Sequence, residues 1–132
     1  MIYIKKINCF KDFRGSLSVI EHEKFKLFKV KRTFFINFKK KKVVRGQHAH
    51  KKCSQFIMCL SGKITLKLID KNLKIKKFTL SEMNRGIYLK PMVWVEIISE
   101  LTNSSIVCLT DRVYEKSDYI ASKHEFIKLA KK

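Results

Sequence analysis

Glycine and proline are nearly missing from this chain, with four glycines and one proline in 132 residues. That scarcity excludes collagen-like repeats and flexible linkers, and it leaves no Pro- or Ser-rich stretch at which to divide the molecule. Residues 1–132 therefore read as a single domain, long enough to bury a core. No apolar run approaches the roughly 18 to 20 residues that a membrane-spanning helix needs. The opening "MIYIKKINCFKDF" also lacks the charged-then-apolar order of a secretory signal, which predicts a cytoplasmic protein with no membrane partner. The four cysteines, Cys9, Cys53, Cys59 and Cys108, show no C-x-x-C spacing, which argues against a zinc knuckle or a redox pair. Cys59 and Cys108 lie in apolar runs and read as buried thiols.

Acidic residues are scarce as well: 11 Asp and Glu stand against 30 Lys and Arg, for a formal net charge of +19. Such a balance is the footprint of many nucleic-acid binders. Only five of the basic residues are Arg, however, and the lysines are spread along the chain with "KKKK" at 39–42 as the one block. A base reader usually shows more Arg, interleaved aromatics or a binding motif, and none is present. The charge is read as attraction for a small anionic ligand, with no nucleic-acid partner.

What the chain does have is strands. "LSVIE" (17–21), "FKVKRTFFINF" (28–38), "SQFIMCL" (54–60), "KITLKLI" (63–69), "LKIKKFTL" (73–80), "GIYL" (86–89), "VWVEII" (93–98) and "SSIVCLTD" (104–111) are short and rich in β-branched or aromatic residues. In "KITLKLI", Ile64, Leu66 and Leu68 alternate with Lys63, Thr65 and Lys67, as a half-buried strand requires. "IDKNLKI" reads as a hairpin turning at Asp70 to Asn72. The final "KSDYIASKHEFIKLAKK" shifts toward a helix capped by Ser117 or Asp118. Eight or more short strands in about 110 residues predict an all-β antiparallel barrel or jelly roll with a short C-terminal helix.

Against that background one stretch carries chemistry: "RGQHAHKK" at 45–52. Two histidines one residue apart project from the same strand face, which suits a metal claw, a general-base pair or two ordinary half-buried residues. A catalytic metal needs at least three good donors and an open position. His48 and His50 supply two, Gln55 carries a neutral amide, and only an inward Glu96 would complete the set. The remaining histidines, His22 and His124, are read as surface or structural residues.

The spacing H-x-H, four residues, Gln55, six residues, Gly62 resembles the first cupin motif. "GIYLKPMVWVEII" resembles the second, with Gly86 and Pro91 kept but no third histidine. Taken with "FRGSLSVIE", "VKRTFFI", "QFIMCLSGKITLKL" and "EKSDYI", which follow in order over most of the chain, the sequence closely resembles the small cupin sugar-nucleotide 3,4-ketoisomerases, also found as a domain of WxcM-like proteins.

That resemblance implies a cupin jelly roll and a metal-independent isomerase without cofactor. Its substrate would be a dTDP-linked 4-keto-6-deoxy sugar, dTDP-4-keto-6-deoxyglucose, whose keto group moves from C4 to C3 through an enediolate. The product would feed 3-amino-3,6-dideoxy sugars of lipopolysaccharide O-antigen. It implies His48 as the base, His50 as its orienter or as handler of the second proton, and Arg14 as a catalytic residue. Arg32 is suited to fork onto a diphosphate, Arg45 to hold developing negative charge, Gln55 to present an amide, and Tyr88 or Trp94 to stack on a ring. An imidazole suits proton abstraction because its ordinary pKa of about 6.5 leaves it mostly neutral in the cell. Two alternatives from other classes are a metal-dependent cupin enzyme and a non-catalytic sugar-nucleotide-binding cupin.

The chain departs from the family pattern at Phe34 and Phe35, where tyrosines are common, and at Val95, where His or Arg often follows the tryptophan. The family also implies a homodimer in which the N-terminal strand, "MIYIKKINCF", is exchanged between protomers.

Overall fold

Period-two alternation becomes twelve strands in the structure, a computed structural model describing residues 1–132. In chain order they are β1 (Ile2–Lys6), β2 (Asn8–Asp12), β3 (Gly15–Val19), β4 (Arg32–Phe38), β5 (Val44–His50) and β6 (Gln55–Ser61). There follow β7 (Ile64–Ile69), β8 (Ile75–Leu80), β9 (Arg85–Leu89), β10 (Trp94–Ser99), β11 (Ser104–Thr110) and β12 (Tyr119–Ile120). A short helix α1 (His22–Phe25) and a terminal helix α2 (Lys123–Ala130) complete the chain.

Every strand pair is antiparallel, and two five-stranded sheets face each other, in the orders β1-β9-β6-β11-β4 and β12-β5-β10-β7-β8. Between them lie the inward residues of each strand, among them Ile57, Cys59, Ile64, Leu66, Leu68, Leu80, Ile87, Leu89, Val95, Ile97, Ile106 and Cys108. This is the jelly-roll sandwich that the alternation predicts.

Two strands are buried on both faces, and for the same reason. Phe56, Met58, Val107 and Leu109 point away from the sandwich, yet the segment carrying Ile20, Phe25, Leu27, Phe28 and Val30 wraps over them. On the opposite sheet α2 covers Ala49, Ile69, Trp94 and Ile120 with Phe126. Hence "SQFIMCL" is apolar throughout rather than alternating.

Local signals were partly right. Asp70 turns the β7–β8 hairpin as expected, its carboxylate accepting the backbone N–H groups of Asn72 and Lys74. The terminal helix starts later than Ser117 or Asp118 would have it: Ser122 is the cap and accepts from the Glu125 N–H. Asp118 instead sits in a single 3-10 turn with its carboxylate turned inward. The N-terminal stretch breaks at buried Ile7 into β1 and β2. β1 lies along β9 of its own chain, from Ile2 opposite Leu89 to Lys6 opposite Arg85. β2 and β3 form a separate hairpin exposing Phe10, Phe13 and Leu17. No helix is long and apolar enough to cross a membrane.

Candidate active site

Where β4, β5, β10 and β12 converge, the sandwich opens into a cavity of about 380 Å³. Its wall includes Arg32, Arg45, His48, Gln55, Val95 and Tyr119, with Phe34, Phe35, Ile36 and Ile97 supplying apolar surface. No carboxylate lines it, so the two guanidiniums make it attractive to an anion.

A β-bulge brings Arg45 and His48 together. On a regular strand, residues three apart point to opposite faces. Here Val95 pairs with His48 and Glu96 with Gly46, so Gln47 is an extra residue on β5. Gly46 (φ 84°) and Gln47 (φ 55°) both take the left-handed conformation that lets the strand absorb it. A Cβ on Gly46 would lie 2.9 Å from the Val95 carbonyl oxygen, so only glycine permits this approach. As a result Arg45, opposite Ile97, and His48, opposite Val95, look into the same cavity.

His48 is half-buried, and its Nδ1 lies 3.0 Å from the Gly46 carbonyl. A carbonyl can only accept, so Nδ1 carries the hydrogen and neutral His48 holds its lone pair on Nε2. Burial pushes the His48 pKa below the ordinary 6.5, the neighbouring His50 adds to this, and the Gly46 carbonyl opposes it. The outcome is a neutral base at pH 7.

His50 lies behind this wall, only 5% exposed, and is not a cavity residue. Its Nδ1 is 3.0 Å from Asp118 Oδ2, while its Nε2 is buried with no partner. The ring meets His48 edge-on at 5.1 Å between centroids and packs on Tyr119 at 4.3 Å. Burial lowers the His50 pKa, with Asp118 pulling the other way. For Asp118, burial favours the neutral acid but is outweighed by His50 and by the backbone N–H groups of Lys52 and Cys53, at 2.7 and 3.3 Å, so its carboxyl is held below its ordinary 3.8.

The ligand atoms of His50, Cys53 and Asp118 lie within 4.8 Å of one another. Their chemistry fits a metal poorly, because burial raises the Cys53 thiol to about 11 and the Asp118 oxygens are already engaged by three N–H donors. Glu96, the carboxylate needed to complete a His48–His50 claw, faces outward and binds Trp94 Nε1 at 2.9 Å and Lys123 Nζ at 3.1 Å.

Five of the eight residues singled out from sequence are thus gathered here: His48, Arg32, Arg45 and Gln55 on the wall, with His50 behind it. Three are not. Trp94 neighbours inward Val95 and so faces outward, packed under α2 against Phe126. Tyr88 sits between inward Ile87 and Leu89 and packs on the outer face against Tyr3 and Phe28. Arg14 occupies the exposed tip of the β2–β3 hairpin, bonded to Asp12.

Sequence reasoning missed Tyr119 and Asp118 as site residues, although both belong to the "SDYI" motif. Pairing of β12 with β5 sets Tyr119 opposite His50. The Tyr119 hydroxyl stands 3.5 Å from Arg32 Nη1, so a phenol reaches the cavity even though Phe34 and Phe35 carry none. Arg32 also lies over the rings of Phe34 and Tyr114, at 4.9 and 5.4 Å.

An antiparallel jelly roll whose anion-attracting cavity holds one histidine and two guanidiniums is a cupin-like scaffold. Residues 1–131 match the family described as FdtA: WxcM-like, C-terminal, and the chain belongs to that family. A TDP-4-oxo-6-deoxy-alpha-D-glucose-3,4-oxoisomerase of Aneurinibacillus thermoaerophilus is 37% identical over 117 residues, covering 89% of this chain and 84% of the relative. The sugar 3,4-ketoisomerase QdtA of Thermoanaerobacterium thermosaccharolyticum, solved in complex with TDP, superposes with a TM-score of 0.90 at 29% identity, over 98% of this chain and 94% of its own. WlaRB, a TDP-quinovose 3,4-ketoisomerase of Campylobacter jejuni, gives 0.85 at 28% identity over 96% and 97%.

Proposed function

We propose that this protein is a sugar-nucleotide 3,4-ketoisomerase that converts TDP-4-keto-6-deoxyglucose to its 3-keto isomer by proton transfer alone. The observation carrying this reading is a neutral imidazole, His48, with a free Nε2 in a cavity that holds two guanidiniums and no carboxylate. His48 removes the C3 proton, and the electron pair forms the C3=C4 double bond of an enediolate whose charge falls on the C4 oxygen. A proton returns to C4 while the C3 hydroxyl proton passes to the C4 oxygen, leaving a hydroxyl at C4 and the carbonyl at C3. Arg45 and Arg32 face the developing oxyanion and the diphosphate, where donors present before the reaction cost no reorganisation. Gln55 and Tyr119 complete the polar lining and orient the sugar hydroxyls. Positioned general-base catalysis is worth about 10² to 10⁴-fold.

The functional unit is a homodimer. A hairpin presenting Phe10, Phe13 (98% exposed) and Leu17 needs an apolar cover, and a second copy supplies it. Exchange of β1 would preserve its pairing with β9, now across two protomers, and the adjoining hairpin would carry Arg14 toward the partner's cavity. A cytoplasmic setting suits the four free cysteines.

The test is incubation with TDP-4-keto-6-deoxyglucose in heavy water with a chelator present, following C3 and C4 by NMR. Conversion to the 3-keto product is expected, with solvent deuterium at C4 of that product and at C3 only of returned substrate. Binding without conversion would leave a sugar-nucleotide carrier, and activity restored only by added metal would sink the proton mechanism.

A further inference from the structure

Moving a carbonyl between neighbouring carbons transfers two protons, one from C3 to C4 and one between the two oxygens. His48 accounts for the first. The second needs another group that can both release and regain a proton at the substrate. Among the polar side chains of the cavity, Arg32 and Arg45 stay protonated and the Gln55 amide does not ionise. His50, which the family resemblance implies for the second proton, lies behind the wall, and its Nε2 has no hydrogen-bond partner. That leaves the phenol of Tyr119, which belongs to the same wall as His48.

The chain fixes where this phenol stands. Tyr119 pairs with His50 across β12 and β5, and the carbonyl of neighbouring Asp118 accepts the Lys51 N–H at 2.9 Å. The ring packs against His50 at 4.3 Å, His48 at 5.0 Å and Tyr114 at 5.5 Å between centroids, so it has little room to turn. Arg32 Nη1 donates to the phenol oxygen at 3.5 Å. The hydroxyl's own hydrogen is therefore free for a bound ligand, and the guanidinium faces the charge left behind when that hydrogen departs. With the His48 ring beside it, one sugar can present adjacent carbons to the imidazole and their oxygens to the phenol.

We propose that Tyr119 is a catalytic residue that carries the oxygen proton of the isomerisation. This rests on the ketoisomerase reading, and it assigns the second proton to a phenol of the cavity wall rather than to the second histidine. His48 Nε2 takes the C3 proton, and the C3–H electron pair becomes the C3=C4 bond as charge falls on the C4 oxygen. Tyr119 gives its proton to that oxygen, leaving an enediol and a phenolate opposite Arg32. The phenolate then takes the C3 hydroxyl proton while the His48 imidazolium returns its proton to C4. C3 becomes the carbonyl, C4 carries a hydrogen and a hydroxyl, and both side chains end as they began.

Tyr119→Phe keeps the ring and loses only the hydroxyl. It should melt within a few degrees of wild type, while kcat falls about 10²-fold and KM changes less than about threefold. Because His48 is intact, the variant in heavy water should still place deuterium at C3 of returned substrate, so that exchange outruns product formation. Exchange and product falling together would make Tyr119 structural and overturn the proposal. Difluorotyrosine at position 119, whose phenol ionises at lower pH, should move the alkaline limb of kcat to lower pH and leave the acid limb in place. An unmoved alkaline limb, or a Tyr119→Phe variant keeping more than about a tenth of wild-type kcat, would equally overturn it. Wild-type protein that leaves the sugar unchanged would instead overturn the proposed substrate, and the role of Tyr119 with it.

Discussion

Replacing His48 by Asn separates chemistry from architecture. The imidazole makes one hydrogen bond, to the Gly46 carbonyl, and two edge contacts, with the rings of His50 and Tyr119 at 5.1 and 5.0 Å. A hydrogen bond contributes about 1 kcal/mol net, and aromatic edge contacts at a half-buried site add about 0.5 kcal/mol each. The asparagine amide reaches part of the same space, so the expected loss of stability is about 1 to 2 kcal/mol, or roughly 3 to 8 °C in Tm for a domain of this size. The catalytic loss is of another order. Removing the base should lower kcat by about 10² to 10⁴, equivalent to about 2.7 to 5.4 kcal/mol of transition-state stabilisation. Calorimetry on the variant gives the first quantity, and NMR of the ketosugar with time the second. A folded variant that retains more than about a tenth of wild-type kcat would refute the assignment of His48 as base.

Other consequences follow from the same geometry. Because burial depresses the His48 pKa, the acid limb of kcat/KM should lie below pH 6.5, and a limb at or above that value in a pH series would contradict the neutral buried base. Stability should also fall with acid. Unfolding lets His48 and His50 bind protons that the folded state resists, so stability is lost as pH drops below 6.5. The lowered Asp118 carboxyl keeps its contribution above 3.8 and loses it as pH falls through its folded value, which a melting series from pH 8 to 3 would show as a second stage. Trp94→Phe should leave KM unchanged in steady-state assays while lowering Tm by several degrees, since it breaks the Glu96 bond under α2 and touches no cavity residue; a raised KM would return that ring to the binding site. Gly46→Ala should cost about 1 to 3 kcal/mol in denaturant titration and impair turnover as well, because the bulge that aims His48 cannot hold a Cβ. Phe13→Asp should shift the sedimentation profile toward monomer, and an unchanged profile would remove the hairpin from the proposed interface.

Much of the fold was legible because its determinants are local. Alternation in "KITLKLI" and turn chemistry at Asp70 need nothing beyond neighbouring residues, and β7 and β8 lie where they were expected. The doubly covered β6 was legible as a strand but not as a buried layer, since its covers come from distant segments. The site divided along the same line. His48, Arg32, Arg45 and Gln55 are legible because motif and chemistry agree, whereas Trp94 and Tyr88 have ring chemistry suited to stacking but stand on the outward parity of their strands. Knowing that Ile87 and Val95 are core would have turned both aromatics outward. Asp118 was read as a helix cap because capping is its commonest local use, and only the pairing of β12 with β5 brings it to His50.

The inserted Gln47 makes counting as important as chemistry in this protein. Pairing Gln47 into a regular ladder would turn Arg45 and His48 to opposite sides of the sheet, whereas deleting it would leave them two positions apart on one side, with every side chain of the site still in the polypeptide. Function here therefore depends on the parity of a strand, which one extra residue sets and which a further insertion between Arg45 and His48 would upset without altering a single side chain of the site.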